Sequence, residues 1–364
     1  VINNLLTAIE CLQRLEGQLR PETTVTLEAM VRYQQQTVVP DGSAQVAFND
    51  SDPAAVPKVA ARLQRLGLSH YLRPAADLGS EVYPYAGVAF LRQPATEGDL
   101  YLAFDGGPFG RAHQHEDMLA FWLHAYGRNH LVDPGRHLYD SSDASYRGYL
   151  SSTQAHSTIT IDGCGQHARG RPENWIASEP TGLGLVVTAT QVRAAATYDL
   201  GYGPDNDIEV AHHRQIVFAE QRFWIIVDTV SAAAVDGRHP IESRFQFGPG
   251  DLRLDDDGRA RTTHDDANLL LWTSAGWDAQ QVLTGSETPG GGWYSPSYGR
   301  LEPAPCLCLE RSAQLPFRSA TLLYPYRGAT PPAVDFAWAD GVATVSSAEV
   351  GKVRIEAEPS GEPL

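Results

Sequence analysis

The sequence predicts a mainly β protein: a large antiparallel β-sandwich preceded by a few helices. Two observations carry that expectation. From Gly87 onward, a dozen or more short apolar runs are separated by Gly, Asp, Asn and Pro, with no long helix between them. Helical periodicity, by contrast, is confined to roughly the first 70 residues. At 364 residues and 42% apolar, the chain has enough material for one large domain or two ordinary ones.

The helical elements come first. INNLLTAIECLQRLEGQL repeats Leu5, Leu6, Ile9, Leu12 and Leu15 at spacings near three and four. TTVTLEAMVRYQQQTV is a second helix, with Leu27, Met30 and Val31 on one side and Pro21 between the two. DPAAVPKVAARLQRLGL is a third, with Asp52 and Pro53 as cap and first turn and Gly67 as stop. Three helices pack in pairs, yet they read as the end of a helical domain rather than a whole one. The strands follow: VAFL, LYLAF, LAFWLHAY, HLVD, STITI, GLGLVVTATQV, HHRQIVFA, FWIIVDTV, IESRFQFG, ANLLLWTSA, PCLCLE, SATLLYPY, VATVSS and KVRIEAE. FWIIVDTV is the most hydrophobic and is expected at the centre of a sheet. ETPGGGWYSPSYG, residues 287–299, is rim rather than core. The expected division is helices over 1–75, a linker over 76–85 and the sandwich over 86–364.

Charge and cysteine content exclude some functions. The formal net charge is −16, with 28 Lys and Arg against 44 Asp and Glu, which argues against nucleic acid as a partner. A local Arg/His cleft can still bind an anion. The four cysteines, Cys11, Cys164, Cys306 and Cys308, form no CxxC pair, so no zinc ribbon is expected. Cys306 and Cys308 alternate and share one strand face. No apolar run is long enough for a transmembrane helix, and no signal peptide opens the chain.

The chemistry concentrates in AHQHEDMLAF, residues 112–121. His113 and His115 are two apart and share a face if the segment is extended. Neutral imidazoles are good zinc ligands but need further partners. HLVDPG supplies Asp133 and QAHSTITIDG supplies His156. His115, Asp133 and His156 would make a His-Asp-His site. An HxH pair is also a common coincidence. His156 then reads as a hydrogen-bonded histidine near a sheet edge, and Asp133 as a turn acid before Pro134. Glu116 and Asp117 either end the loop or orient the histidines.

Residues 105–163, DGGPFGRAHQHEDMLAFWLHAYGRNHLVDPGRHLYD…YRGYLSSTQAHSTITIDG, resemble the core of the heparinase II/III-like polysaccharide lyases, which include alginate and oligo-alginate lyases. The ordered set of H-x-H-x-D, LVDPG, a Tyr-rich segment and AHSTITI carries the resemblance, which continues weakly toward the C-terminus. It implies a sandwich preceded by an α/α toroid, with the leading helices as the toroid's last turns. It implies cleavage of a uronic-acid glycan by β-elimination. It also implies one zinc ion held by His115, Asp133 and His156, with His113 lining the cleft near the uronate carboxylate or the base. A Tyr commonly protonates the leaving oxygen in the family. Tyr146 and Tyr149 are candidates, with Tyr139 a third, although a tyrosine there serves equally well as packing. Arg111 and Arg147 are candidates for grasping the carboxylate, the alternative being structural ion pairs. Asn49 and Asp50, in FNDSDP, resemble a late toroid loop where relatives carry a Gly-Asp pair, a match to a peripheral cleft residue.

The front of the chain departs from the family. The principal catalytic Asn/His and Tyr belong to the toroid, and the first 75 residues hold only Tyr33, Tyr71 and His70 of the Tyr and His types. Two expectations follow. The chain is the C-terminal part of a longer lyase, completed by a toroid or another subunit. Alternatively, it is a catalytically incomplete glycan-binding or scaffolding domain. The low basic content tilts the expected substrate toward an unsulfated or lightly sulfated uronate glycan. The resemblance implies a periplasmic or extracellular location.

Overall fold

The computed structural model describes residues 2–15, 17–53, 58–94, 99–108, 113–140, 146–167, 182–232, 237–274, 276–287 and 290–357. Helices α1 (Ile2–Arg14), α2 (Pro21–Thr37) and α3 (Val59–Arg65) share a small core of Leu6, Ile9, Leu27, Val31, Val59 and Leu63. Three boundaries differ from expectation. α1 stops at Arg14, and Leu15 beyond it is 80% exposed. Pro21 opens α2 instead of separating two helices, because its fixed φ suits the first helical position. α3 starts at Val59 and not at Asp52. Residues 54–57 lie outside the described residues, and Lys58 precedes the helix as its first flanking residue.

The remainder is antiparallel sheet. Strands Glu81–Tyr83, Val88–Arg92, Tyr101–Asp105, Phe121–Ala125 and Arg128–Leu131 form a five-stranded meander. Ile159–Ile161, Arg238–Gln246, Pro305–Gln314 and Ala279–Thr284 form a four-stranded sheet, taken from edge to edge. A bridge between Leu131 and Phe247 joins these two sheets into one layer. Facing them is an eight-stranded sheet in which Phe223–Ala232 lies between Phe317–Arg327 and Val210–Ala219. The central place expected for FWIIVDTV is the place it takes.

Alternation decides what each strand buries. In Val88–Arg92, Ala89 and Leu91 face the eight-stranded sheet, while Val88 and Phe90 face Val39, Val46 and Tyr33 of the helical segment. Trp224 and Ile226 join the first core. Phe223, Ile225 and Val227 pack the other way, against Val334, Phe336, Val345 and Ile355 of a C-terminal three-stranded sheet. GLGLVVTATQV is not one strand. It turns between Gly184–Val187 and Gln191–Tyr198, with the Thr188 amide bonded to the Gln191 carbonyl at 2.8 Å. Cys306 and Cys308 do share one buried face, with sulfurs 3.9 Å apart.

Candidate functional site

The site forms where three loops meet a segment that follows α2. One loop, holding His113 to Asp117, leads from the five-stranded meander's third strand into its fourth. The second carries Asp133 just beyond that sheet's last strand. The third carries His156 just before Ile159–Ile161. A turn fixes the second loop. The Gly135 amide donates to Asp133 Oδ1 at 2.8 Å, and Gly135 has φ +77°. A Cβ there would lie 2.4 Å from the Ser295 carbonyl, so the position requires glycine.

His115, Asp117, Asp133 and His156 converge inside the protein, all buried, with one ligand atom of each within 4.8 Å of the others. His156 Nδ1 donates to the Ser152 carbonyl at 2.8 Å, which leaves the lone pair on Nε2. His115 Nε2 donates to Asp50 Oδ1 at 3.0 Å, which leaves the lone pair on Nδ1. Those two lone-pair nitrogens face each other at 3.2 Å. Asp133 Oδ2 is 3.4 Å from His156 Nε2, and Asp117 Oδ2 is 3.9 Å away. Asp117 Oδ2 accepts no hydrogen bond from the described residues. Tetrahedral zinc with bonds of roughly 2.1 Å separates its ligand atoms by about 3.4 Å, so the donor set has suitable chemistry and spacing. Without a cation, a proton must mediate. Burial opposes charge on His156, but Asp133 and Asp117 outweigh it and hold its pKa at about 9. Burial and the neighbouring Asp133 carboxylate push Asp117 upward, against the pull of His156 and His115.

Asp50 couples this buried cluster to the surface. One carboxylate oxygen accepts from His115, and the other accepts from His113 Nδ1 at 2.9 Å. Arg147 grips both oxygens. Burial works against the charged form of Asp50, and the bonds from His115, Arg147 and His113 overcome it, keeping the carboxyl far below the usual range. The two histidines of HxH therefore share a carboxylate yet differ in exposure: the His115 side chain is 0% exposed and that of His113 is 69% exposed. Beside His113 lies the Tyr139 hydroxyl, 3.2 Å from Nδ1. Tyr139 packs on Tyr298, and the guanidiniums of Arg136 and Arg147 lie over its ring.

The other anticipated residues take different places. Arg147 holds Asp50, so a protein carboxylate occupies the guanidinium expected to grasp the uronate. Asn49 is a clamp between loops: Oδ1 accepts from the His115 amide at 2.6 Å, and its own amide donates to Asp133 at 3.2 Å. Tyr146 packs on Trp293. Tyr149 is held against Cys306, Cys308 and Arg244, and burial drives its hydroxyl far above the usual range. Glu116 pairs with His167 at 3.2 Å, outside the cluster, whereas Asp117 belongs to the cluster itself. Arg111 lies outside the described residues. Arg136 is not anticipated by the sequence, and Asp50 is anticipated only beside Asn49 as a peripheral cleft residue, not as the partner of both histidines. Asp50 sits in the FNDSDP stretch, far in sequence from the histidines, and nothing local marks it as their partner.

A family profile described as heparinase II/III-like, C-terminal, matches residues 76–337. Similar solved structures include the heparan sulfate lyase HepC from Pedobacter heparinus, at 18% identity and TM-score 0.75, covering 99% of this chain and 58% of that one. Another is heparinase III, the BT4657 gene product, at 17% identity and TM-score 0.75, covering 97% of this chain and 56% of that one. The chain thus spans a little over half the length of these structures. No curated protein is a significant match by sequence.

Proposed function

This chain belongs to the heparinase II/III-like family, a family of polysaccharide lyases, and we propose that it forms the sandwich wall of a lyase cleft that cleaves a uronic-acid glycan by β-elimination. One observation carries the reading. An exposed His113–Tyr139 pair is linked through Asp50 to a buried His/Asp cluster with the donor set of a metal site.

β-Elimination removes the C5 proton of a uronate, forms the C4–C5 double bond and expels the glycosidic oxygen, which takes up a proton. Asp50 holds the proton on His113 Nδ1, so the lone pair sits on Nε2. That tautomer leaves a nitrogen free to accept a proton from the substrate. Tyr139 places a hydroxyl beside the imidazole, where a leaving oxygen can be protonated. This role passes to Tyr139 because Tyr149 faces the Cys306–Cys308 strand and Tyr146 packs on Trp293. The Arg136 and Arg147 guanidiniums lie over the Tyr139 ring and hold it beside His113, while their own charge is balanced by Asp52 and Asp50.

His115, Asp133 and His156, joined by Asp117, would hold one zinc ion. Bound there, zinc neutralises the buried carboxylates and fixes the loops that carry His113. The substrate we favour is a glycosaminoglycan-type uronate polymer of low sulfation. Arg136 already contacts Asp52 and the Asp50 backbone, and Arg147 already grips Asp50, so these two site arginines are already engaged by protein carboxylates rather than left free for sulfates. An alginate-type uronate fits the same chemistry. Such polymers place the protein in the periplasm or outside the cell. Among the described residues no helix is long and apolar enough to cross a membrane.

The glycan-binding alternative rests on the helical segment. Its Tyr33 packs on Tyr83 and Phe90, and His70 stacks on Tyr71, so these side chains serve as packing. The deciding experiment mixes the zinc-loaded protein with heparan sulfate, its desulfated form and alginate, and follows the absorbance of the unsaturated product. Product that disappears in His113→Ala supports the lyase. Affinity without product supports the binding domain. Neither product nor affinity removes both.

A further inference from the structure

We propose that Arg214, on the eight-stranded sheet, is a positioning residue that sets the spacing of the two loops holding Asp117 and His156; this rests on the metal reading above. Arg214 lies on Val210–Ala219, directly opposite Asp228 on the neighbouring strand. Its Nε donates to Asp228 Oδ1 at 2.7 Å and its NH2 to Oδ2 at 3.1 Å. The remaining nitrogen, NH1, reaches out of the sheet and donates to two carbonyls at once: Leu119 at 2.6 Å and Ser157 at 2.5 Å. Leu119 is two residues beyond Asp117, and Ser157 directly follows His156. One guanidinium therefore ties both loops to a central strand pair.

The construction is costly for packing alone. Arg214 is fully buried and Asp228 is 2% exposed. A buried ion pair of this kind is often no more stabilising than apolar residues of the same volume. What apolar residues cannot supply is a donor shared between two chain segments. Leu119 also has φ +70°, a conformation unfavourable for a β-carbon, while its carbonyl is held by Arg214 and its amide by the Asp105 carbonyl at 2.8 Å. His212 completes the back of the pair, with Nε2 2.7 Å from Asp228 Oδ1. Lysine cannot reproduce the arrangement, because its point charge lacks a planar fork that engages a carboxylate and two carbonyls together.

The test compares Arg214→Lys and Asp228→Asn with Leu323→Ala, which opens a cavity in the same sheet away from both loops. Three quantities are read on the whole chain: zinc affinity by competition with a chelator, the visible spectrum with cobalt(II), and the melting temperature of the metal-free form. Arg214→Lys and Asp228→Asn are expected to weaken zinc binding by about 10- to 100-fold, the range for residues supporting metal ligands, and to alter the cobalt spectrum. Leu323→Ala is expected to lower the melting temperature while leaving affinity and spectrum unchanged. Wild-type affinity in whichever of the two ion-pair variants folds overturns the proposal, as does an equal loss in Leu323→Ala. A wild-type chain that binds neither zinc nor cobalt refutes the metal reading instead, and the positioning role falls with it.

Discussion

The two histidines of HQH sit one residue apart from a shared neighbour and end in opposite environments. His115 is buried among carboxylates, and His113 is mostly exposed beside Tyr139. Both bond the same carboxylate, Asp50. The buried half is built to hold charge in place, and the exposed half is left able to exchange protons with a ligand. The difference lies in neighbours, as a third histidine makes plain. His130 is buried like His156, but its titratable neighbours are the bases His264, His124 and Arg128 rather than carboxylates. Burial, reinforced by the basic groups around it, lowers its pKa to about 3, while Asp133 and Asp117 raise that of His156 to about 9. Burial alone does not make a candidate ligand; burial with convergent carboxylates does.

The sharpest way to break this contrast is to remove a buried ligand. Asp133→Ala should lower zinc affinity by a factor on the order of a thousand or more, since a structural site contributes a large folding energy. It should also destabilise the fold by about 3 kcal/mol, because His156 is left in the core without its main counter-charge. Chelator titration and thermal melts read both. If Asp133→Ala kept its metal, the buried half would be misassigned.

His113→Ala attacks the exposed half. Turnover should fall by about 10²- to 10⁴-fold, the usual share of a general base. The melting temperature should barely move, since the lost contacts are at the surface. A melting loss equal to that of His115→Ala would erase the division. Tyr139→Phe should lower turnover while sparing glycan affinity. Tyr139→Ala should also weaken glycan binding by about 1 kcal/mol through loss of the ring. Equal turnover in wild type and Tyr139→Phe would remove the hydroxyl from the chemistry.

The smallest effect concerns His130. Its folded pKa lies below its ordinary 6.5. Below pH 6.5 the unfolded chain takes up a proton that the folded chain refuses, so stability falls as pH drops from 6.5 toward 3. His130→Leu should flatten that part of the pH–stability curve relative to wild type. An unchanged slope would mean that His130 charges within the fold.

Much of this was legible in the sequence because it is local. Period-two strands with turn residues between them announced the sandwich, and the spacing of HxH, LVDPG and AHSTITI marked three loops that the structure brings to one place. What stayed hidden depends on partners distant in the chain. Asp50 reads as a loop acid until it is seen between His113 and His115. Arg214 and Asp228 read as ordinary polar residues inside strands, although they meet across a central pair. QVRAAATY carries little strand signal of its own, since alanine is a poor strand former; packing of Ala194 and Ala196 against the main core overrides that preference. Arg147 reads equally as a substrate clamp or a structural ion pair, because sequence shows the guanidinium but not the carboxylate in its grip, and the structure selects the ion pair.

The central claim is that one half of the site holds a metal and the other half meets the sugar. Elemental analysis of the purified wild type, His115→Ala and His113→Ala tests it most directly. About one zinc per chain in wild type and His113→Ala, with almost none in His115→Ala, is the expected result. Metal-free wild type of undiminished stability, or equal loss of zinc in both variants, would contradict it.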